Sequence, residues 1–318
     1  MNAFVPEPAY LRGLDAAGLQ DELAAVTVSR YVRSDGVSRA LYECGDPAAP
    51  ALVLLPPAGT SWLLVSRLAR ALSRDFYVVS WDARGCPDAN AQLGGQDAGL
   101  DGQAADFVDV VADRRLDEFH FVGWCQAAQT AILACHSTPA LKPLSFSFIA
   151  PAGLGHAVIA SEFERCALPV YLHIASQDVA FAGSMVEVLD TSARSSTPPE
   201  VAERLLLLHL SSAEATLRFA RYMKVFADST SRIGSLVGGV LRRIPTQLIH
   251  CKDDSFSHYS ESVQLARRHS SVRLDILPSG GHLFVFRQAD AVAALIRRFV
   301  VSKFSGGVVG RRGVVSDS

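Results

Sequence analysis

The chain has 318 residues, 49% hydrophobic and 19% charged, enough to bury a core of roughly 200–250 residues together with an accessory unit. Its 30 basic and 32 acidic residues give a formal charge of −2, so electrostatics offers no reason to expect a nucleic acid or an anionic membrane as partner. The six cysteines form no C-x-x-C pair, a pattern that favours reduced thiols over a disulfide framework or a zinc site.

The N-terminal segment MNAFVPEPAY has no basic stretch followed by an apolar one, and it therefore does not resemble a signal peptide. The longest apolar runs, such as 51–55 and 205–208, are too short to span a bilayer. Together with the cysteine pattern, these features predict a soluble cytoplasmic protein without a membrane span.

The first third of the chain alternates between strand-like and helix-like segments. Its apolar strands are continuous runs, which are typical of a parallel, doubly wound sheet with helices on both faces. The turn Ser34-Asp35-Gly36 predicts an antiparallel hairpin between the first two strands. The predicted elements are a helix at 8–24, strands at 26–32, 39–43 and 51–55, a helix at 62–73, a strand at 76–81 and a helix at 103–116.

The next strand ends at the pentapeptide GWCQA (123–127), and an alanine-rich helix follows at once. Strand, tight turn with a nucleophilic residue, and helix are the context of a nucleophile elbow, here with Cys125 in the place of serine. The small residues Gly123 and Ala127 suit a sharp turn, and the N–H of Gln126 at the helix start could stabilise an oxyanion. The pentapeptide alone leaves open a structural, buried cysteine.

The second half of the chain changes character and then returns to the earlier alternation. Residues 155–243 are helix-like, and we interpret them as an inserted cap over a core formed by 1–154 and 244–304. The glycine-containing polar tail 305–318 is expected to be disordered. The remaining predicted elements are a strand at 144–149, a cap helix at 213–226, a strand at 245–250, a helix at 259–269, a strand at 272–277 and a helix at 288–304.

Five motifs in this order resemble those of the α/β-hydrolase superfamily, over about residues 25–304. Each stands in the place of a family feature: LLPPAG (54–59) of the oxyanion loop, WDARG (81–85) of the D-x-R-G motif, GWCQA (123–127) of the nucleophile elbow, LIHCKDD (248–254) of the strand end with the acid, and SGGH (279–282) of the histidine loop. The resemblance implies the α/β-hydrolase fold, a mostly parallel sheet with an inserted helical cap.

The family's order of nucleophile, acid and histidine implies a triad of Cys125, Asp254 and His282. Asp254 aligns with the acid in the family's G-x-x-D pattern. Asp253 is adjacent and remains an alternative. Asp178 is a second alternative, because it follows the strand-like run VYLHIA.

The oxyanion loop departs from the family pattern, since Pro56-Pro57 stand where His-Gly is common. Proline has no N–H, so the expected donors are the backbone N–H groups of Ala58 and Gln126. Trp124, beside the nucleophile, is a candidate for substrate contact, with packing beneath the cap as the alternative.

Two further polar residues near these motifs have open roles. Gln129, like the side chain of Gln126, could contact polar atoms of a substrate or could serve only a structural purpose. Arg84 is expected to be structural and to hold the loop after its strand.

A cysteine elbow favours acyl transfer, because a thiolate exchanges readily with thioesters. The leading hypothesis is an acyltransferase or thioesterase with a covalent acyl-cysteine, acting on a small acyl substrate presented on coenzyme A or a carrier protein. No cofactor and no metal are expected. The elbow is also similar to the G-x-C-x-G-G of polyhydroxyalkanoate synthases, and cysteine-type dienelactone hydrolases offer a second analogy. A role in specialised-metabolite biosynthesis is a further expectation.

Two alternatives stay open at this point. One is an ester or lactone hydrolase with the same triad, and the other is a catalytically idle hydrolase fold that binds a small molecule. The oligomeric state does not follow from the sequence.

Overall fold

The computed structural model describes residues 19–32, 38–86, 99–157, 159–189 and 200–304. The predicted hairpin turn, most of the helix predicted over 8–24 and the tail 305–318 lie outside the described residues.

The described strands form one eight-stranded sheet in the order β1-β2-β4-β3-β5-β6-β7-β8. The pairs β1–β2 and β2–β4 are antiparallel, and every other pair is parallel. The sheet is therefore mostly parallel, as predicted. The strands are β1 Thr27–Val32, β2 Ser38–Cys44, β3 Ala51–Leu55, β4 Tyr77–Ser80, β5 Phe119–Trp124, β6 Pro143–Ile149, β7 Thr246–Cys251 and β8 Val272–Leu277.

Helices cover both faces of this sheet, which confirms the doubly wound α/β-hydrolase fold. In β3, Leu52 and Leu54 belong to one buried apolar cluster, whereas Val53 and Leu55 belong to the cluster on the opposite face. A strand buried on both faces must be apolar throughout. The described helices are α1 Gln20–Ala24, α2 Ser66–Leu72, α3 Leu100–Asp113, α4 Ala127–Ser137, α5 Leu168–Ile174, α6 Val179–Leu189, α7 Val201–Leu206, α8 Ala213–Leu241, α9 Ser260–Arg268, α10 Phe284–Arg287 and α11 Ala289–Phe304.

The strand-like interpretation of VYLHIA is wrong, because these residues belong to α5. Pro169 lies in the first turn of that helix, where its fixed φ and missing N–H cost little. Tyr171 and Ile174, three residues apart, are the buried side chains of α5. Their spacing matches one face of a helix, and it was hidden by the β-branched and aromatic composition of the run.

The described residues between β6 and β7 form helices, and α8 is the longest of them, with 29 residues. It extends well beyond the predicted end at 226, through three glycines that obscured its pattern. Near its N-terminus, Phe219 and Met223 pack with α5. Further along, Ile233 and Val237 join the core cluster under the sheet. Helix α8 is thus shared between cap and core, and a separate cap over 155–243 stays a prediction.

A buried carboxyl group ties the start of this inserted segment to α9. The side chain of Glu261 accepts hydrogen bonds from the N–H groups of Leu154 (2.8 Å) and His156 (3.2 Å). Burial raises the pKa of Glu261 to about 7, aided by the charge of Glu164 and opposed by the hydrogen bonds.

Exchanging Glu261 for glutamine is expected to remove part of the pH dependence of stability. The folded pKa of about 7 lies above the unfolded value of 4.5. The wild type should therefore lose up to roughly 3 kcal/mol of unfolding free energy as pH rises from about 5 to about 7.5. Glutamine stays neutral and still accepts a hydrogen bond. Urea unfolding at several pH values measures this slope.

The matched control is Glu214→Gln, because Glu214 is an exposed glutamate in the first turn of α8. This variant should keep the wild-type slope. An unchanged slope in Glu261→Gln would contradict the prediction.

Candidate active site

Cys125 occupies the sharp turn between β5 and α4. Its backbone has φ of 57°, a left-handed conformation that non-glycine residues rarely adopt and that is held here by its surroundings. The N–H of Cys125 donates to the carbonyl oxygen of Ile149 at 2.9 Å. The side chain is buried, with 7% of its surface exposed. This is the strand–turn–helix geometry expected of a nucleophile elbow.

The elbow needs small flanking residues. A Cβ added at Gly123 would lie 2.6 Å from the ring of Phe121 and 3.1 Å from the Cβ of Ala127. Any larger residue at 123 would push the strand away from the first turn of α4.

His282 and Asp254 form a buried pair beside the elbow. The Nδ1 of His282 lies 2.8 Å from Oδ2 of Asp254. The other carboxylate oxygen accepts the N–H groups of Phe256 (2.8 Å) and Ser257 (2.9 Å). Burial alone would raise the pKa of Asp254, but the charge of His282 and these hydrogen bonds hold it well below its usual range. Asp254 is therefore an ionised acceptor for the imidazole.

A second histidine, His250, lies near the same oxygen of the Asp254 carboxylate. Its Nε2 lies 2.8 Å from the carbonyl oxygen of Ser257 and 3.5 Å from Oδ2 of Asp254. Its Nδ1 lies 2.8 Å from Oγ of Ser262. No role for His250 is predicted from the sequence. The signal it offered was its place at the end of the acid-bearing strand, four residues before Asp254.

The ring of His282 lies between two aromatic side chains. The centroids of Trp124 and Phe256 are each 5.2 Å from that of His282. Burial lowers the pKa of His282, but the negative charges of Asp254 and Cys125, and hydrogen bonds with both, raise it to about 10. Since Nδ1 is bound to Asp254, Nε2 is the ring nitrogen available to the thiol.

The two alternative acids lie elsewhere. Asp253 is exposed and accepts the N–H groups of Gly280 (3.1 Å) and Gly281 (3.0 Å). It therefore braces the turn that presents His282. Asp178 is exposed and accepts the N–H of Phe181 at the start of α6 (2.9 Å). Of the three candidates, Asp254 is the one hydrogen-bonded to His282.

The predicted oxyanion donors line the same pocket as Cys125. Ala58 and Gln126 both line the pocket above Cys125. Among the described residues, neither backbone N–H has a hydrogen-bond acceptor. The loop that carries Ala58 is held at the next residue, because the N–H of Gly59 donates to the carbonyl oxygen of Arg84 at 2.9 Å.

Arg84 has the structural role expected of it. Its guanidinium makes two hydrogen bonds to the carboxylate of Asp106, at 2.6 and 2.7 Å, and both side chains are buried. This ion pair ties the loop after β4 to α3, and through Gly59 it supports the oxyanion loop.

The prediction that Trp124 contacts the substrate needs correction. Its side chain has no exposed surface and is not part of the pocket lining. The indole packs against the ring of His282 instead. The side chain of Gln126 reaches the cap, with its Nε2 3.9 Å from Sδ of Met223.

A pocket of about 460 Å³ lies over Cys125 and His282, within the size range of small-molecule sites. Its walls are mostly apolar and come largely from the inserted helices. The apolar side chains of the wall include Phe163, Leu168, Leu189, Leu206, Phe219, Met223 and Phe226. An aromatic stack of Tyr171, Phe163 and Phe256 leads from α5 to the ring of His282.

The chain matches the model of the "Alpha/beta hydrolase family" over residues 52–295, more than half of its length. The chain belongs to this family. No curated protein sequence matches it. No helix of the described residues is long and apolar enough to cross a membrane, and no cluster of three or more His, Cys, Asp or Glu among them could hold a metal ion.

Solved structures resemble this α/β-hydrolase over most of its length. A membrane phospholipase A, titled a novel bacterial virulence factor, is 19% identical, with a TM-score of 0.64 over 93% of this chain and 92% of the other. Haloalkane dehalogenase DbeA from Bradyrhizobium elkani is 11% identical, with a TM-score of 0.71 and coverage of 88% and 99%. 1H-3-hydroxy-4-oxoquinoline 2,4-dioxygenase is 20% identical, with a TM-score of 0.66 and coverage of 86% and 99%. At these identities, the likeness establishes the fold alone.

Proposed function

We propose that this α/β-hydrolase is an acyltransferase or thioesterase in which Cys125 carries the acyl group. The observation that supports it is that Cys125, in its turn after β5, lines the same pocket as His282, which is hydrogen-bonded to Asp254. The left-handed backbone of Cys125 gives further support, because strain of this kind is retained where function requires it.

In the first half of the reaction, Cys125 gives its thiol proton to Nε2 of His282 and attacks the carbonyl carbon of a thioester. The carbonyl oxygen takes the negative charge and accepts the N–H groups of Ala58 and Gln126. Collapse of this intermediate breaks the bond to the leaving sulfur, which takes the proton from His282. The acyl group is then bound to Cys125, and the donor leaves as a thiol.

In the second half, an acceptor gives its proton to His282 and attacks the acyl carbon. Collapse of the second intermediate breaks the bond to Sγ, which takes the proton from His282 and restores the Cys125 thiol. Asp254 keeps its negative charge throughout and stabilises the imidazolium in both halves. An amine or alcohol acceptor makes the enzyme a transferase, and water makes it a thioesterase.

A mostly apolar pocket of about 460 Å³ suits an acyl chain. The donor thiol, from coenzyme A or a carrier protein, would remain outside this pocket. Ester or lactone hydrolysis by the same three residues is the competing function, because the chain belongs to a family of hydrolases.

The test is to incubate the purified protein with a panel of acyl thioesters and to record its intact mass. An acyl adduct that maps to Cys125 supports the proposal. Added amines or alcohols then separate transfer from hydrolysis, because only a transferase forms the corresponding amide or ester. The absence of both an adduct and thiol release with every donor would overturn the proposal and favour a binding protein.

A further inference from the structure

The Tyr171 hydroxyl in the pocket wall can only accept hydrogen bonds from a bound molecule. Nδ1 of His209 lies 3.0 Å from the carbonyl oxygen of Leu206 and so carries the ring hydrogen. Burial lowers the pKa of His209 to about 4, so the ring is neutral and its Nε2 is an acceptor. The Tyr171 oxygen, 2.7 Å from that Nε2, must donate its hydrogen there. Its lone pairs remain for a ligand.

Two threonines of the pocket also have hydroxyl groups whose hydrogen is already donated within the protein. Oγ1 of Thr60 donates to the carbonyl oxygen of Pro57 at 2.7 Å. Oγ1 of Thr230 donates to the carbonyl oxygen of Phe226 at 3.2 Å. Both side chains line the pocket, and each hydroxyl has only lone pairs left to offer.

Gln129 supplies a buried acceptor without a partner. The side chain lines the pocket and is only 1% exposed. Its amide nitrogen donates to the carbonyl oxygen of Gly153 at 2.7 Å, which fixes the orientation of the amide. Its Oε1 has no hydrogen-bond partner among the described residues. An unsatisfied buried acceptor costs about 1–3 kcal/mol. The exposed surface of this oxygen is below 1 Å², so a ligand that donates to it must displace part of the surrounding wall.

The charges along the pocket also favour a ligand that donates hydrogen bonds. Glu162 and Glu164 line it, and the part of the lining that the structure describes contains no lysine or arginine. A carboxylate at the end of an acyl chain would meet these acceptors and the negative charges of Glu162 and Glu164.

We infer that the pocket takes an acyl group that bears O–H or N–H donors beyond its reacting carbonyl, and that it rejects a chain ending in a carboxylate. This inference rests on the proposed function, because it names the substrate class of the same site. Tyr171 and Gln129 are the positioning residues for those donors.

The full-length protein is assayed with N-acetylcysteamine thioesters of four acids: hexanoic, β-hydroxyhexanoic, ω-hydroxyhexanoic and adipic. The kcat/KM of the better hydroxylated thioester should exceed that of hexanoyl by about 10-fold, the value of one well-placed hydrogen bond. The adipoyl thioester should fall below hexanoyl by a similar factor. Equal use of hexanoyl and both hydroxylated chains, or a preference for adipoyl, would overturn the inference.

Tyr171→Phe removes one acceptor, whereas Gln129→Met removes one acceptor together with the donor to the Gly153 carbonyl oxygen. Either variant should raise KM for the preferred hydroxylated thioester by about 10-fold with little change in kcat, since uniform binding is lost. Turnover of hexanoyl should fall by a smaller factor, because its chain has no donor for these acceptors. Tyr259→Phe is the matched control, because Tyr259 does not line the pocket. If both pocket variants kept the wild-type preference for hydroxylated chains, the assignment would be wrong.

A binding measurement distinguishes failure of this inference from failure of the proposed function. Calorimetry with Cys125→Ala protein and the amide analogues of the same four thioesters requires no catalysis. Tighter binding of a hydroxylated amide supports the inference even if no adduct forms on the wild type. Adduct formation without any binding preference would sink the inference and leave the proposed function standing.

Discussion

Replacing Cys125 with alanine is expected to lower thioester turnover by about 10⁴-fold or more and to abolish the acyl adduct, because the attacking atom is gone. The fold should be retained. Alanine has the same Cβ as cysteine, so the left-handed backbone at 125 is no more strained than before. Single-turnover thiol release and intact mass measure the loss, and circular dichroism checks the fold.

Cys166 provides the matched control for this experiment. It is an exposed cysteine on the π-helix Phe163–Ala167 and lines the same pocket, but no contact with an imidazole is recorded for it among the described residues. Cys166→Ser should keep both the adduct and the turnover. An adduct that persists in Cys125→Ala, or one that maps to Cys166, would refute the assignment of Cys125 as nucleophile.

Much of the fold could be predicted because its signals are local. Buried parallel strands are continuous apolar runs, and β3 and β8 lie at the predicted residues, 51–55 and 272–277. The triad candidates were found for the same reason, since each follows a strand end. Where local and tertiary signals disagreed, as at VYLHIA, the prediction was wrong, because burial of Tyr171 and Ile174 against α8 favours the helix.

The rest of the site depends on contacts between distant segments. Nothing near Trp124 in the sequence indicates that its indole packs against a histidine 158 residues later. Its place beside Cys125 predicted a substrate contact instead. The pair of Tyr171 and His209 is likewise formed by residues 38 apart. Their hydrogen-bond directions depend on a backbone carbonyl, which has no sequence signature.

Asp254→Asn is expected to reduce the acylation rate by about 10²–10⁴-fold. The Asn oxygen can still accept the N–H groups of Phe256 and Ser257, which leaves the amide NH₂ facing Nδ1 of His282. That nitrogen must then be the acceptor, and the ring hydrogen moves to Nε2. The imidazole can no longer take the proton of Cys125.

The pH profile separates this effect from a merely structural one. The wild-type rate should stay level to about pH 9 and fall near pH 10, where His282 loses the proton that it must give to the leaving sulfur. Without the Asp254 charge, the pKa of His282 drops, so the fall should begin about one pH unit or more earlier.

Asp253→Asn changes the adjacent carboxylate and is the matched control for this profile. Asp253 bonds only to the glycine turn among the described residues. Loss of the Asp253 charge should leave the fall in rate near pH 10 unchanged. The rate itself should change by a few-fold at most, because the asparagine oxygen can still accept a hydrogen bond from one glycine N–H. If Asp253→Asn lost more activity than this or shifted the fall in rate to lower pH, while Asp254→Asn stayed near wild type, Asp253 and not Asp254 would be the acid. The two variants differ by one position in the chain, so this comparison tests directly which carboxylate charge holds the proton on His282.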